Sequence, residues 1–341
     1  MKICVVGGSG IISTSVTHHL LAQGHSLTCV TRGRRPLPDG VTAITMDHTE
    51  SDALTRALRG EHFDAVIDFL VFDAHDASRA LSTWTGRTNQ YVFISSASCY
   101  KKPTGNPVMT ESTPLGNPHW EYSRKKIDAE LVFQSAERNQ AFPLVIVRPS
   151  LTYGDSHVPL ILNSWAHPYT LIHRMKLGLP IVIPGDGASL WTITHADDFA
   201  LGLGGLLGNP NTIGQAFHIT SDEHITWHQA FTFAATAFET EFVPVMISSH
   251  TILKAYPDWE GTTLGDKAVS VIFDNTKIKQ FVPGFVATIG FAEGMRRAAK
   301  WFTSHPESKT IDALVGERHA QLARAYQDLE STLVTRIRAA G

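Results

Sequence analysis

The sequence predicts an α/β protein built on a doubly wound parallel sheet, with a smaller C-terminal substrate-binding region. Two observations carry that expectation. Strand-length apolar runs alternate with helical patterns through the first 150 residues, and a glycine-rich turn follows the first run directly. Strands separated by helices cannot pair as hairpins, so they lie parallel with helices on both faces, a Rossmann-type arrangement.

In chain order the pattern predicts a strand at Ile3 to Val6, a helix from about Thr14 to Gln23, and strands at Leu27 to Val30 and Thr42 to Met46. A helix near Ser51 to Leu58, a strand at Ala65 to Leu70 and a helix near Ser78 to Trp84 follow. Next come a strand at Tyr91 to Ile94, a helix near Glu121 to Ala136 and a strand at Leu144 to Val147. After Pro149 the rhythm loosens into Gly- and Pro-containing loops such as Ile183-Pro184-Gly185-Asp186-Gly187. Residues 1–150 therefore read as a dinucleotide-binding domain, and 151–310 as a mainly substrate-binding region with some segments returning to the sheet. Residues 311–341 read as a C-terminal amphipathic helix. Within it Leu322, Tyr326, Leu329, Leu333 and Ile337 recur at helical spacing, which predicts a packing helix, with a dimerisation helix as the alternative.

With 341 residues, 43% hydrophobic and 18% charged, the chain can bury a large core. A net charge of -3 gives no bulk reason to expect nucleic acid as a partner. The expected partner is a small-molecule substrate, and a homodimer is compatible with the C-terminal helix. No apolar run approaches the roughly 18 residues of a membrane helix. The apolar start runs straight into Gly7-Gly8-Ser9-Gly10, which predicts no secretory signal and a cytoplasmic protein. Cys4, Cys29 and Cys99 are expected to be buried, reduced thiols.

The loop Gly7-Gly8-Ser9-Gly10-Ile11-Ile12-Ser13 lies between a strand and a helix, so backbone N–H groups can face a pyrophosphate at the helix's positive end. Gly7 and Gly10 permit the turn, and Ser13 stands where a third glycine would allow close helix packing. The second strand ends in Val30-Thr31-Arg32-Gly33-Arg34-Arg35, without the carboxylate that would accept from a ribose hydroxyl. Arg32, Arg34 and Arg35 can instead hold a 2′-phosphate, which favours NADP, with NAD as the alternative. Asp47 could accept from the adenine amino group or serve as a turn carboxylate beside Thr49.

Tyr122-Ser123-Arg124-Lys125-Lys126 opens an amphipathic helix, placing Tyr122 and Lys126 on one face. An ammonium near a phenol favours the phenolate, so Tyr122 can exchange a proton with a substrate hydroxyl. The strand at Tyr91 to Ile94 runs into Ser95-Ser96-Ala97-Ser98 at the carboxyl edge of the sheet, where ligands bind in such folds. Ser96, and after it Ser98, is the hydroxyl expected to orient a reacting carbonyl.

Together these stations resemble the extended short-chain dehydrogenase/reductase family, the NAD(P)-dependent epimerase/dehydratases. The likeness extends over nearly all of the chain: the glycine loop, Asp47, Ser95-Ser96, Tyr122 to Lys126, Arg148-Pro149 with Tyr153-Gly154, His195-Ala196-Asp197-Asp198, and Asp274 to Ile278. The resemblance implies Tyr122 as acid/base, Lys126 on the nicotinamide ribose, Ser96 on the substrate oxygen, and Phe69, Leu70 and Pro149 lining the cofactor. It departs at the positions that grip a nucleotide diphosphate in sugar-nucleotide epimerases, here Leu151, Trp191 and Thr262 or Thr263. Charge-assisted partners are replaced there by apolar or neutral side chains, which predicts a smaller polyol or glycoside substrate. Trp191, Trp120 and Trp165 could stack on a sugar ring. The expected activity is hydride transfer at a secondary alcohol or ketone carbon, as oxidoreductase or epimerase. The alternatives are a nucleotide-sugar 4-epimerase with atypical anchors and a non-catalytic, NAD(P)-sensing or RNA-associated relative. His119, His157, His167 and His173 lack metal-ligand spacing, and no metal is expected.

Overall fold

A computed structural model describes residues 1–139 and 142–340. The last residue of the expected C-terminal segment, Gly341, lies outside them. The chain forms two compact units: 1–154 with 192–222 and 272–289, and 155–191 with 223–271 and 290–341.

In the first unit, strands β1 (Lys2–Val6), β2 (Ser26–Thr31), β3 (Thr42–Thr45), β4 (Ala65–Asp68), β5 (Tyr91–Ile94), β6 (Leu144–Arg148) and β7 (Ala216–His218) build a seven-stranded sheet among the described residues. The spatial order is β7-β6-β5-β4-β1-β2-β3, and every pairing is parallel. The order reverses beside β1, the switch point at which open α/β sheets leave a ligand crevice at their carboxyl ends. Helices α1 (Ile11–Ala22), α2 (Ser51–Ala57), α3 (Ala74–Trp84) and α4 (Glu121–Arg138) cover it.

Alternation along each strand sorts the core onto two faces. Ile3 and Val5 pack with Val16, Leu20 and Phe199, whereas Cys4 and Val6 pack with Leu54, Ala77, Ala129 and Phe133. All three cysteines are buried free thiols. Phe133 is fully buried against Tyr91, Phe93 and Phe142, so its truncation to alanine costs about 3–5 kcal/mol.

Several boundaries differ from the sequence expectation, and three of them have a clear local cause. α1 begins at Ile11, because Gly10 in extended conformation caps it without a side chain. β4 stops at Asp68, whose carboxylate turns the backbone by accepting from Leu70 N–H at 2.8 Å. α3 begins at Ala74, because the Asp73 carboxylate accepts from Asp76 N–H.

The second unit contains the parallel pair Ile181–Pro184 and Pro244–Ile247, the antiparallel pair Leu190–Trp191 and Ile225–Thr226, and helices Trp227–Ala237, Phe291–Ser304 and Ala313–Ala340. The last helix packs at its start only. His319 there accepts from Val182 N–H at 3.0 Å and its other ring nitrogen lies 3.2 Å from the Leu162 carbonyl. Beyond Tyr326 its apolar stripe is open, with Leu329 62%, Leu333 55% and Ile337 63% exposed, which corrects the packing-helix expectation for that half. No helix among the described residues is long and apolar enough to cross a membrane.

Candidate active site

The glycine loop leaves β1 and enters α1 at the switch point. Gly7 has φ +86°, and a Cβ there would lie 2.7 Å from Leu70 Cγ, so glycine alone permits both the turn and the close approach. Ser13 is a staple: its hydroxyl donates to the Gly7 carbonyl at 2.6 Å and accepts from Gly10 N–H at 2.8 Å. That ties the loop internally, while the following N–H groups at Ile11 and Ile12 sit in the helix's first turn, whose donors have no intrahelical acceptor.

A cavity of about 320 Å³ adjoins the loop, lined by Gly7, Ser9 and Gly10, by Arg32, Arg34, Arg35 and His48, and by apolar Val30, Met46 and Leu70. Arg35 Nη1 donates to the Ser9 carbonyl at 3.2 Å. Arg32 and Arg34 make no hydrogen bond among the described residues, leaving both guanidiniums available to an anion. Glycine backbone, cationic side chains and an apolar wall in one cavity fit the adenosine and pyrophosphate of a dinucleotide.

Asp47 holds the turn after β3. Its Oδ1 accepts from Thr49 N–H at 3.0 Å and Thr49 Oγ1 at 2.8 Å, and these bonds hold its carboxyl below the usual range. Phe69 packs partly into the core, whereas Leu70 lies against Gly7. The Pro149 carbonyl accepts from Ala97 N–H at 2.9 Å, joining the end of β6 to the serine loop.

Tyr122 is half-buried in the first turn of α4, its ring 5.1 Å from that of Trp120. Lys126, one turn on, is 2% exposed. Its ammonium donates to the Val71 carbonyl at 2.5 Å, in the loop after β4, and to the Ile94 carbonyl at 2.9 Å, at the end of β5, and lies 5.9 Å from the Tyr122 ring centroid. Phe72 and Phe93 pack on the same ammonium at 4.8 and 5.0 Å. Burial pushes Lys126 down to about 8. The sheet's carboxyl edge thereby fixes one cation beside the phenol.

Ser96 ends the extended segment after β5 and is tied to α4. Ser96 Oγ lies 2.8 Å from Ser98 Oγ, which accepts from Ser123 Oγ at 2.7 Å. Ser123 follows Tyr122 in the chain. The predicted serine, tyrosine and lysine are thus brought to one edge by two strand ends and one helix turn.

Sequence reasoning missed Phe72, Ser123, Asn117 and Asp68. Asp68 is buried, accepts from Leu70 N–H and from Tyr91 OH at 2.8 Å, and is pushed up by burial. It thus holds the turn that carries Leu70 to the glycine loop. A carboxylate closing the apolar run Ala65-Val66-Ile67 was a visible signal.

Several family stations are architectural. Arg148 forms a buried, two-pronged ion pair with Glu130, Nε to Oε1 at 2.9 Å and Nη2 to Oε2 at 2.6 Å. Asp198 accepts from Thr288 and Ile289 N–H at 3.0 and 2.9 Å, and Asn275 Nδ2 donates to the Thr220 carbonyl at 2.9 Å. The Asp274 carboxylate accepts from Thr276 N–H at 2.8 Å, at the start of the helix Thr276–Phe281. Leu151 is half-buried in a short strand paired with Ile193–His195. Trp191 corrects the sugar-platform expectation: it is 3% exposed and stacks on Trp227, with ring centroids 6.3 Å apart.

Residues 3–219 match the NAD dependent epimerase/dehydratase family. The chain is 31% identical over 262 residues to 2'-dehydrokanamycin reductase of Streptomyces kanamyceticus, covering 76% of this chain and 73% of that protein. It is 26% identical over 241 residues to the chloroplast stem-loop binding protein of 41 kDa b of Arabidopsis thaliana, covering 66% of this chain and 60% of that protein. Among solved structures, UDP-glucuronic acid 4-epimerase from Bacillus cereus in complex with NAD matches with TM-score 0.71 at 17% identity, covering 90% of this chain and 98% of that one, a likeness of fold. The match over residues 3–219, on a sheet that reverses at the glycine loop, establishes that the chain belongs to the NAD dependent epimerase/dehydratase family of extended short-chain dehydrogenases/reductases.

Proposed function

We propose that this enzyme reduces a ketone on a glycoside ring to a secondary alcohol, with NADPH as cofactor and Tyr122 as the proton donor. The observation that carries the reading is the buried Lys126 ammonium, held beside the Tyr122 ring by the Ile94 carbonyl at the end of β5 and the Val71 carbonyl in the loop after β4. NADPH, when bound, supplies the hydride. Tyr122 gives its phenolic proton to the ketone oxygen as negative charge develops there, and Lys126 stabilises the phenolate left behind. Ser96 donates a hydrogen bond to the same oxygen. The Gly7–Ser13 loop and α1's first turn hold the pyrophosphate, and Arg32 and Arg34 hold the 2′-phosphate.

Support for the substrate class comes from two directions. The relative at 31% identity is named a 2'-dehydrokanamycin reductase. The positions that would anchor a nucleotide diphosphate carry Leu151, Trp191 and Thr262 or Thr263, none of them charged, and Trp191 is buried. A non-catalytic, RNA-associated role is less well supported, because the net charge is -3 and a sensor has no use for a buried ammonium beside a phenol.

The test is NADPH consumption at 340 nm with a panel of keto-glycosides, and product analysis of UDP-glucose incubated with the enzyme and oxidised cofactor, because epimerisation consumes no net NADPH. Turnover of a keto-glycoside with no conversion of UDP-glucose is expected. Epimerisation of UDP-glucose, or turnover of no ketone, would overturn the proposal.

A further inference from the structure

A continuous hydrogen-bonded chain runs from the first turn of α4 to the serine that follows β5. Asn117 Nδ2 donates to the Ser98 carbonyl at 2.8 Å and to Ser123 Oγ at 3.4 Å. Ser123 Oγ donates to Ser98 Oγ at 2.7 Å, and Ser98 Oγ stands 2.8 Å from Ser96 Oγ. The Ser98 N–H also donates to Ser96 Oγ, at 3.2 Å.

A hydroxyl has one proton and two lone pairs, and that arithmetic sets the direction of the chain. Ser123 accepts from an amide, so its own proton goes to Ser98. Ser98 is 5% exposed, and among the described residues the acceptor for its hydroxyl proton is Ser96 Oγ. The reverse order would leave that proton buried without an acceptor, at a cost of about 1–3 kcal/mol. Ser96 Oγ then receives two protons, from the Ser98 hydroxyl and the Ser98 amide. Both its lone pairs are filled, and its own proton can only be directed out of the chain.

We infer that Asn117, Ser123 and Ser98 are positioning residues that fix Ser96 as a one-way hydrogen-bond donor, aimed at the oxygen of a carbonyl substrate. The proton order stands on geometry alone; its use on a ketone rests on the function proposed above. Successive donors polarise one another, so Ser96 is a stronger donor at the end of this chain than an isolated serine. A group that can only donate stabilises the developing alkoxide during reduction and cannot accept the proton of an alcohol. That leaves the proton transfer itself to Tyr122. The residue after the tyrosine thereby couples the helix that carries the acid to the loop that carries the donor.

Neutron diffraction from D₂O-exchanged crystals reads the proton order directly. A Ser98 deuteron directed at Ser96 Oγ, with the Ser96 deuteron pointing away, is expected; the opposite order would overturn the inference. Turnover of 2′-dehydrokanamycin with NADPH reads the consequence. Ser123→Ala should lower kcat roughly tenfold with NADPH affinity unchanged, and Ser123→Thr should restore most of it. In a Ser96→Ala background the same change should cost less than about twofold, because the donor it orients is gone. An equal loss in both backgrounds marks a merely structural role and would overturn the proposal. Tyr122→Phe keeps the two readings separable. Full activity in that variant removes the proposed reaction, whereas its loss alongside an innocuous Ser123→Ala removes only the serine chain.

Discussion

The Lys126 ammonium stands 5.9 Å from the centroid of the Tyr122 ring, held by the Ile94 carbonyl at the end of β5 and the Val71 carbonyl in the loop after β4. Two consequences of its burial are measurable. Burial lowers Lys126 to about 8 in the folded protein, below the value of about 10.4 in an unfolded chain. Between those limits the unfolded state binds a proton that the folded state has lost. The cost of holding the charge, on the order of 3 kcal/mol, is therefore fully present below pH 8 and fades as pH rises toward 10.4. The unfolding free energy of the wild type, measured relative to Lys126→Met, should rise between pH 7 and pH 10. A difference that stays flat would mean that the ammonium is not desolvated. The rate of ketone reduction should in turn fall as pH rises through about 8, where Lys126 loses the charge that supports the phenolate.

Gly7→Ala should remove dinucleotide binding. The residue holds φ +86°, and the added methyl would press to 2.7 Å from Leu70 Cγ, so either the loop or Leu70 must move. A loss of NADPH affinity of at least about tenfold is expected in a fluorescence titration, since the shifted backbone is the pyrophosphate's seat. Unchanged affinity would place the dinucleotide elsewhere.

Arg32→Ala should separate the two cofactors. Arg32 lines the cavity beside the glycine loop and makes no hydrogen bond among the described residues, so its guanidinium is available to a 2′-phosphate. NADPH affinity should drop by about 1.5–3 kcal/mol, the worth of a hydrogen bond to a charged group, while NADH affinity changes little. Equal losses for both would remove the basis of the NADP assignment.

Glu130→Gln should destabilise the first unit without touching a ligand. Glu130 is fully buried, accepts two bonds from Arg148, and accepts from Ser95 Oγ at 2.5 Å. Removing its charge leaves the Arg148 guanidinium buried without a counter-ion, a loss of about 3–5 kcal/mol. A lower urea midpoint with an unchanged slope is the expected result, and an unmoved midpoint would contradict it.

Much of the fold was legible because apolar runs of strand length in parallel sheets are buried on both faces, as with Lys2–Val6 and Leu144–Arg148. The seventh strand, Ala216–His218, is three residues long and carries no periodicity to read. The start of α1 was misplaced because Gly10 offers no capping side chain, and α3 begins ahead of the expected Ser78 although Asp73 before it carries a capping carboxylate. In the candidate site, Tyr122, Lys126 and Ser96 announce themselves by residue type and spacing. Ser123 does not, because its partner Ser98 is 25 residues away and only the packing of α4 against the turn Ala97–Cys99 after β5 brings them together. The exposed stripe from Leu329 to Ile337 shows the limit of periodicity, which marks an apolar face but not what covers it.

The most direct measurement is hydride transfer from NADPH to a keto-glycoside under single-turnover conditions, wild type against Tyr122→Phe. The phenylalanine variant should fold, bind NADPH as the wild type does, and transfer hydride at least about a hundredfold more slowly. Transfer at the wild-type rate would contradict the assignment of Tyr122 as the proton donor.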